Sequence, residues 1–187
     1  SSDLITQLEP QDVAYARELG YSIKHLGMAR QTEAGVELRV HPTLVPERSL
    51  IAGVNGVSNA VMVNADAVGT TLFYGPGAGA EPTASSVIAD IVDVARLMDS
   101  DSDSRVPPLG RSSDQLKAQK ILDIQDVETG FYIRFSALDQ PGVLSSITKI
   151  MGDAGISIEA IIQREQPAGE RYVNVIILTN VTKEKCL

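Results

Sequence analysis

Few residues in this chain combine a reactive type with a spacing that could do chemistry. The most suggestive stretch is Phe73–Asp93, FYGPGAGAEPTASSVIADIVD. An apolar run ends at Phe73-Tyr74. The small-residue loop Gly75-Pro76-Gly77-Ala78-Gly79-Ala80 follows, and Pro82 and Thr83 open a helix. A glycine-rich turn feeding a helix N-terminus aims backbone N–H groups at a negative or polar ligand. The same glycines equally serve a tight strand-to-helix turn with no ligand. Gly-Pro-Gly-Ala-Gly also differs from the G-x-G-x-x-G of a dinucleotide fold, and no βαβ framework surrounds it. Both readings are open.

Other reactive groups are sparse. His41 sits in the extended run His41-Pro42-Thr43-Leu44-Val45-Pro46, which the prolines keep from being helical. No Cys, Ser or carboxylate motif lies beside it, so a hydrogen-bonded structural role is expected there and still more at His25. Asp99, Asp101 and Asp103 alternate, but the glycine and final Glu of a calcium loop are missing. The segment DSDSDSRVPPLG around them reads as a solvated linker. The serines fall mostly in linker and helices, with no G-x-S-x-G. The single cysteine, Cys186, excludes an internal disulfide and a Cys-rich metal site and suits a reducing compartment. No acid, base or nucleophile stands in a catalytic setting, and no metal site is expected.

The totals narrow the classes further. The net charge of −8 comes without any Lys/Arg stripe, which argues against nucleic acid and anionic membrane as partners. The apolar runs are too short to span a bilayer, and Ser1–Glu9 does not read as a signal peptide. A cytoplasmic location is expected. With five Tyr, three Phe and no Trp, the cores must be aliphatic. At 187 residues, one large or two small domains fit.

Periodicity predicts the elements that carry these groups. Thr6–Leu19 is expected as a helix. Pro10 suits its first turn, Asp12 favours the positive dipole end and Gly20 provides the stop. Its apolar stripe is Val13, Ala16 and Leu19. Tyr21–Arg30 and Val36–Val40 read as a hairpin about Thr32-Glu33-Ala34-Gly35. Val36, Leu38 and Val40 lie on one face of the second strand, Glu37 and Arg39 on the other, and strand carboxylates are expected to face solvent. Val54–Val63 and Ala67–Tyr74 form a second pair around Asn64-Ala65-Asp66. The helix after the glycine turn is apolar at Val87, Ile88, Ile91, Val92 and Ala95 and ends near Leu97-Met98. Beyond the linker, Phe131–Leu138 alternates like a strand and Asp139-Gln140-Pro141-Gly142 turns. Val143–Ala154 is a helix with a stripe at Val143, Leu144, Ile147, Ile150 and Met151. Ile156–Arg164 and Arg171–Thr179 are strands about a turn at Gln166–Gly169. The order is βαββ, to which a full ferredoxin-like unit adds a helix and a strand.

Two stretches carry a family resemblance. DVAYARELGYSIKHLGMAR, ELRVHPTLVP, VNGVSNAVMVNADAVG and FYGPGAGAEPTASSVIADIVDVAR, within residues 12–97, resemble the later part of the catalytic region of homoserine dehydrogenases. FYIRFSAL, DQPGVL, GDAGISI and ISIEAIIQ, within residues 131–179, resemble an ACT domain, which bacterial members of that family commonly carry at the C-terminus. The resemblance implies an α+β fold. A mixed β-sheet with helices on one face, the catalytic and dimerisation region, occupies residues 1–98. A linker follows at 99–116, and a partial, ferredoxin-like βαββ ACT domain at 117–187.

The family reduces L-aspartate 4-semialdehyde to L-homoserine with NADPH or NADH, on the way to threonine, methionine and isoleucine. Its cofactor domain and the segment with the catalytic lysine would precede Ser1. No catalytic residue is therefore assigned within this chain, which is expected to be inactive alone. By the same resemblance, Gly77, Ala78, Gly79 and Thr83 would wall the side of a cleft for NADP or NAD, held mainly by that other domain. Asp139, Gly142, Val143 and Leu144 would meet an amino-acid effector, threonine in most of the family, at the start of a helix, with Gln163 reaching from the next strand. Asp139 as a plain helix cap and Gln163 as plain surface are the competing readings. The strands before the glycine turn would form a homodimer interface. An amino-acid-sensing module or a dimerisation unit without catalysis is the alternative function.

Overall fold

The computed structural model describes residues 8–98, 110–164 and 171–186. The acidic stretch of the expected linker, 99–109, and the expected turn at Gln166–Gly169 therefore lie outside the described residues. The chain is α+β, and its contacts divide it into two compact units. One combines residues 8–19, 24–44, 119–164 and 171–186; the other combines 20–23 with the described part of 45–118.

In the first unit, helix α1 spans Pro10–Glu18, with Pro10 in its first turn and Gly20 just past its end at φ 80°. Few residues other than glycine adopt that conformation, so the helix stops there. Its buried face is Asp12, Tyr15 and Ala16, not the expected Val13–Ala16–Leu19 stripe, and Val13 is exposed. The displaced register follows from Asp12, which finds partners on a sheet described below.

Strands β1 (Tyr21–Thr32) and β2 (Gly35–Pro46) form a hairpin with its turn at Glu33-Ala34. Both strands run longer than the periodicity suggested, because the His41–Pro46 stretch continues β2. The expected facing of β2 is inverted. Glu37 is only 2% exposed, while Leu38 and Val40 are about half exposed. The inversion is chemically possible because two arginines reach the carboxylate. Arg30 Nε donates to Glu37 Oε2 at 2.8 Å, and Arg39 Nε lies 3.0 Å from Oε1. The Arg39 contact is off the N–H direction, so it is an ion pair without a formed hydrogen bond. After the linker, Val36 exchanges backbone hydrogen bonds with Lys120 and Leu122, which fastens residues 120–122 beside the hairpin tip. Gly35 makes this approach possible, since a Cβ there would stand 2.5 Å from the Lys120 carbonyl oxygen.

The C-terminal sheet has three antiparallel strands in the order β6 (Tyr132–Leu138), β8 (Tyr172–Thr179), β7 (Ile158–Gln163). It is flanked by the short pair β5 (Glu128–Thr129) and β9 (Thr182–Lys183). Helix α3 (Val143–Asp153) crosses one face. Ile133, Phe135, Ala137, Val173, Val175 and Ile177 meet Val143, Leu144, Ile147 and Met151 there. Each fully buried aliphatic side chain of this type contributes about 1.5–3 kcal/mol relative to exposure. Ile150, expected in the helix stripe, is exposed instead. The βαββ order is as the pattern implied.

In the second unit, β3 (Ser58–Ala65) and β4 (Gly69–Pro76) pair with Val61 opposite Phe73 and Met62 opposite Leu72. Helix α2 (Ala80–Met98) follows the glycine turn and ends where the apolar pattern ended. It buries no residue, and Val87, Ile88 and Ile91 are all exposed. Within the described residues, the strands of the first half form two separate hairpins.

Candidate functional site

The residues expected to hold an effector come together. Asp139, Val143, Leu144 and Gln163 line a shallow hollow that opens to solvent, with Ala137, Leu138, Gln140, Ile147, Val173 and Val175. The sheet order makes this hollow. Gln163 at the end of β7 pairs with Val175, and Ala137 near the end of β6 pairs with Val173, so both flank β8 on the face that α3 covers. The loop 139–142 is fixed by Asp139 N–H donating to the Arg171 carbonyl at 3.1 Å and Val143 N–H donating to Gln140 at 3.3 Å.

Gly142 is the residue before the first turn of α3, at φ 90°, in the left-handed region. No side chain caps this helix, so Asp139 does not serve as its cap. The helix's first turn leaves N–H groups without intrahelical acceptors, as every helix start does, here beside the hollow. The arrangement offers apolar walls for a short side chain, N–H groups for a carboxylate, and two polar side chains, Asp139 and Gln163, for an ammonium or hydroxyl.

The expected cofactor wall is in the other unit. Gly77 N–H donates to the Val57 carbonyl at 2.8 Å, and Thr83 N–H donates to the Gly79 carbonyl at 3.1 Å. A Cβ on Gly77 would run into the Asn59 amide, and Gly79 has φ 132°. Each glycine therefore has a local structural reason to be glycine. Gly77, Ala78, Gly79 and Thr83 are all exposed. Among the described residues, no three His, Cys, Asp or Glu side chains converge as a metal site would require.

One cluster escaped the sequence reading. Asp12, with its side chain 4% exposed, accepts from the Tyr132 hydroxyl and from Arg134 Nε, both at 2.7 Å, and from the Glu9 amide at 2.9 Å. Arg134 also reaches Glu9 at 2.9 Å. Burial pushes the Asp12 carboxyl up, but the Glu9 amide, the Tyr132 hydroxyl and Arg134 together hold it below the usual carboxylate range. Burial and the bond to Asp12 push the Tyr132 hydroxyl well above its ordinary range. The signal that could have found the cluster is the polar pair Tyr132 and Arg134, alternating with apolar residues along β6.

Comparison with known proteins matches residues 1–92 to the family described as homoserine dehydrogenase and residues 131–185 to the ACT domain. The chain is 55% identical to homoserine dehydrogenase of Pseudomonas aeruginosa over 94% of its own length and 41% of that protein's. It is 50% identical to the enzyme of Neisseria gonorrhoeae, over 97% of this chain and 41% of the relative. A crystal structure of a homoserine dehydrogenase from Thiobacillus denitrificans superposes with a TM-score of 0.86 at 55% identity, covering 97% of this chain and 41% of that one. The chain thus spans about two fifths of the length of the relatives it matches. With one family region followed by the other, this chain belongs to the homoserine dehydrogenase family, of which it carries the later catalytic region and an ACT domain.

Proposed function

We propose that this chain is the part of a homoserine dehydrogenase that completes the catalytic region and senses an end product through its ACT domain. The enzyme would reduce L-aspartate 4-semialdehyde to L-homoserine with NADP or NAD. The nicotinamide-binding domain and the catalytic lysine belong to family segments outside residues 1–187. Hydride transfer requires cofactor carbon and carbonyl to be held in near contact beside a proton donor. No residue of this chain is assigned that role. The polypeptide alone is therefore expected to leave NADPH unoxidised in the presence of aspartate semialdehyde, and measurable turnover would refute that. Gly77, Ala78, Gly79 and Thr83 remain proposed as the near wall of the cofactor cleft.

The observation that carries the sensing role is the hollow at the start of α3, where Asp139, Val143, Leu144 and Gln163 converge beside Gly142. A short amino acid such as threonine matches its apolar floor and polar rim. Calorimetric titration of the 187-residue chain with L-threonine tests the reading. Saturable heat is expected, and none at millimolar threonine would overturn it. The exposed Val61, Phe73, Ile88 and Ile91 favour self-association, so a dimer mass by light scattering is expected, with a monomer counting against it.

A further inference from the structure

Helix α1 lies within the residues that match homoserine dehydrogenase, yet it packs in one compact unit with the ACT sheet. Along β6, Ile133, Phe135 and Ala137 meet α3, so Tyr132 and Arg134 point from the opposite face. Both grip Asp12 of α1 there. Asn174 lies between Val173 and Val175 of the α3 face, and it donates to Gln11 of α1 at 3.1 Å. Arg164 directly follows the hollow's Gln163. Its guanidinium stands 5.0 Å over the Tyr15 ring and pairs with Glu18, both on α1. The sheet is thus held between a helix of each family region.

We propose that α1 carries the state of the ACT hollow into the dehydrogenase region, with Arg164 as the link. The proposal rests on the reading of the hollow as an effector site. The two ends of the α1 contact differ in the way such a device needs. The Asp12 end is buried and multiply bonded, which makes it an anchor. At the other end, the Arg164 and Glu18 side chains are 52% and 45% exposed. Exposed pairs of that kind contribute about 0–1 kcal/mol, so the contact changes state at little cost. A ligand held by Gln163 orders the end of β7, and with it the backbone that aims Arg164. The C-terminal half of α1, from Tyr15 to Glu18, then tightens against the sheet while Asp12 stays fixed. From there the chain passes directly into β1.

Hydrogen exchange of the 187-residue chain with saturating L-threonine tests this. Slower exchange is expected at residues 143–146 and, by up to about fivefold, at residues 15–19. In Arg164→Ala the first effect should persist and the second should vanish. Glu18→Gln should do the same with less disturbance to the fold. Protection at 143–146 without protection at 15–19 in the unsubstituted chain would overturn the proposal. So would protection at 15–19 that survives both substitutions. No protection at 143–146, together with no calorimetric heat, would instead remove the effector reading, and the proposal with it.

Discussion

Asp12→Asn removes one charge from the best-defined polar contact in the molecule. The native carboxylate splits its work between two oxygens. Oδ1 takes the Tyr132 hydroxyl and Arg134 Nε, and Oδ2 takes the Glu9 amide. Asparagine has one acceptor oxygen, so it must give up either the sheet bonds or the bond that closes the first turn of α1. Its amide would also face two donors. Breaking a buried ion pair from one side costs about 3–5 kcal/mol. Arg134 is 24% exposed and keeps Glu9, so the low end applies, about 3 kcal/mol. With a urea slope of about 2 kcal/mol per molar, the unfolding midpoint of the unit holding α1 should fall by about 1.5 M. The deficit should also shrink in acid. Asp12 titrates below its unfolded value of about 3.9, so its contribution is complete above that pH and fades as pH falls through the folded value. The variant lacks this group and should converge on the parent below about pH 4. Urea melts read by circular dichroism between pH 7 and 2 measure both effects. A midpoint change worth less than about 0.5 kcal/mol at pH 7, or a gap that widens in acid, would refute the buried-anchor reading.

Two further substitutions separate local from distant effects. Gly142→Ala meets open space around its Cβ, so its cost is backbone strain alone at φ 90°, about 1–2 kcal/mol, and threonine titration should weaken with it. Equal stability in thermal melts would mean the loop relaxes to negative φ. Glu37→Gln leaves the nearly buried Arg39 without its anion, and about 3 kcal/mol of stability should be lost in urea melts. An unchanged midpoint would show that the two arginines and the carboxylate are not a stabilising set.

Local chemistry was the legible part of this fold. Gly20 and Gly155 mark the ends of α1 and α3 because positive φ is written in residue type, and both have it. Alternation found β6 and β8. It could not tell which face of β2 points inward, because period two defines two faces and assigns neither to the core. Hydrophobicity put Val36, Leu38 and Val40 inside. The arginines at 30 and 39 reversed that by making Glu37 cheap to bury. In α2 the apolar stripe has the right period for a buried helix, yet nothing among the described residues covers it. A pattern states which face seeks burial, not where its partner lies. The hollow at the start of α3 was legible for the opposite reason. The lining residues that the sequence singled out are mostly contiguous, from Asp139 to Leu144, and only Gln163 and the apolar floor needed the sheet order.

The Asp12 cluster was hidden by a sufficient local explanation. An acid in the first turn of a helix already has a reason to be there in the dipole. Nothing near it in sequence names Tyr132 or Arg134, more than a hundred positions away. Yet β8 held the clue. Its residues Val173, Val175 and Ile177 need cover on one face, and Ile176 and Leu178 need it on the other. A central strand apolar on both sides requires two covering layers. Helix α3 supplies one only. Chain from elsewhere therefore had to cross the far face. Polar Tyr132 and Arg134 on the neighbouring strand required that the incoming element carry an acceptor. Both early helices carry a first-turn acid, Asp12 in α1 and Glu81 in α2, so the sequence pattern did not choose between them; in the structure α1 meets the requirement, with Asp12 accepting from Tyr132 and Arg134.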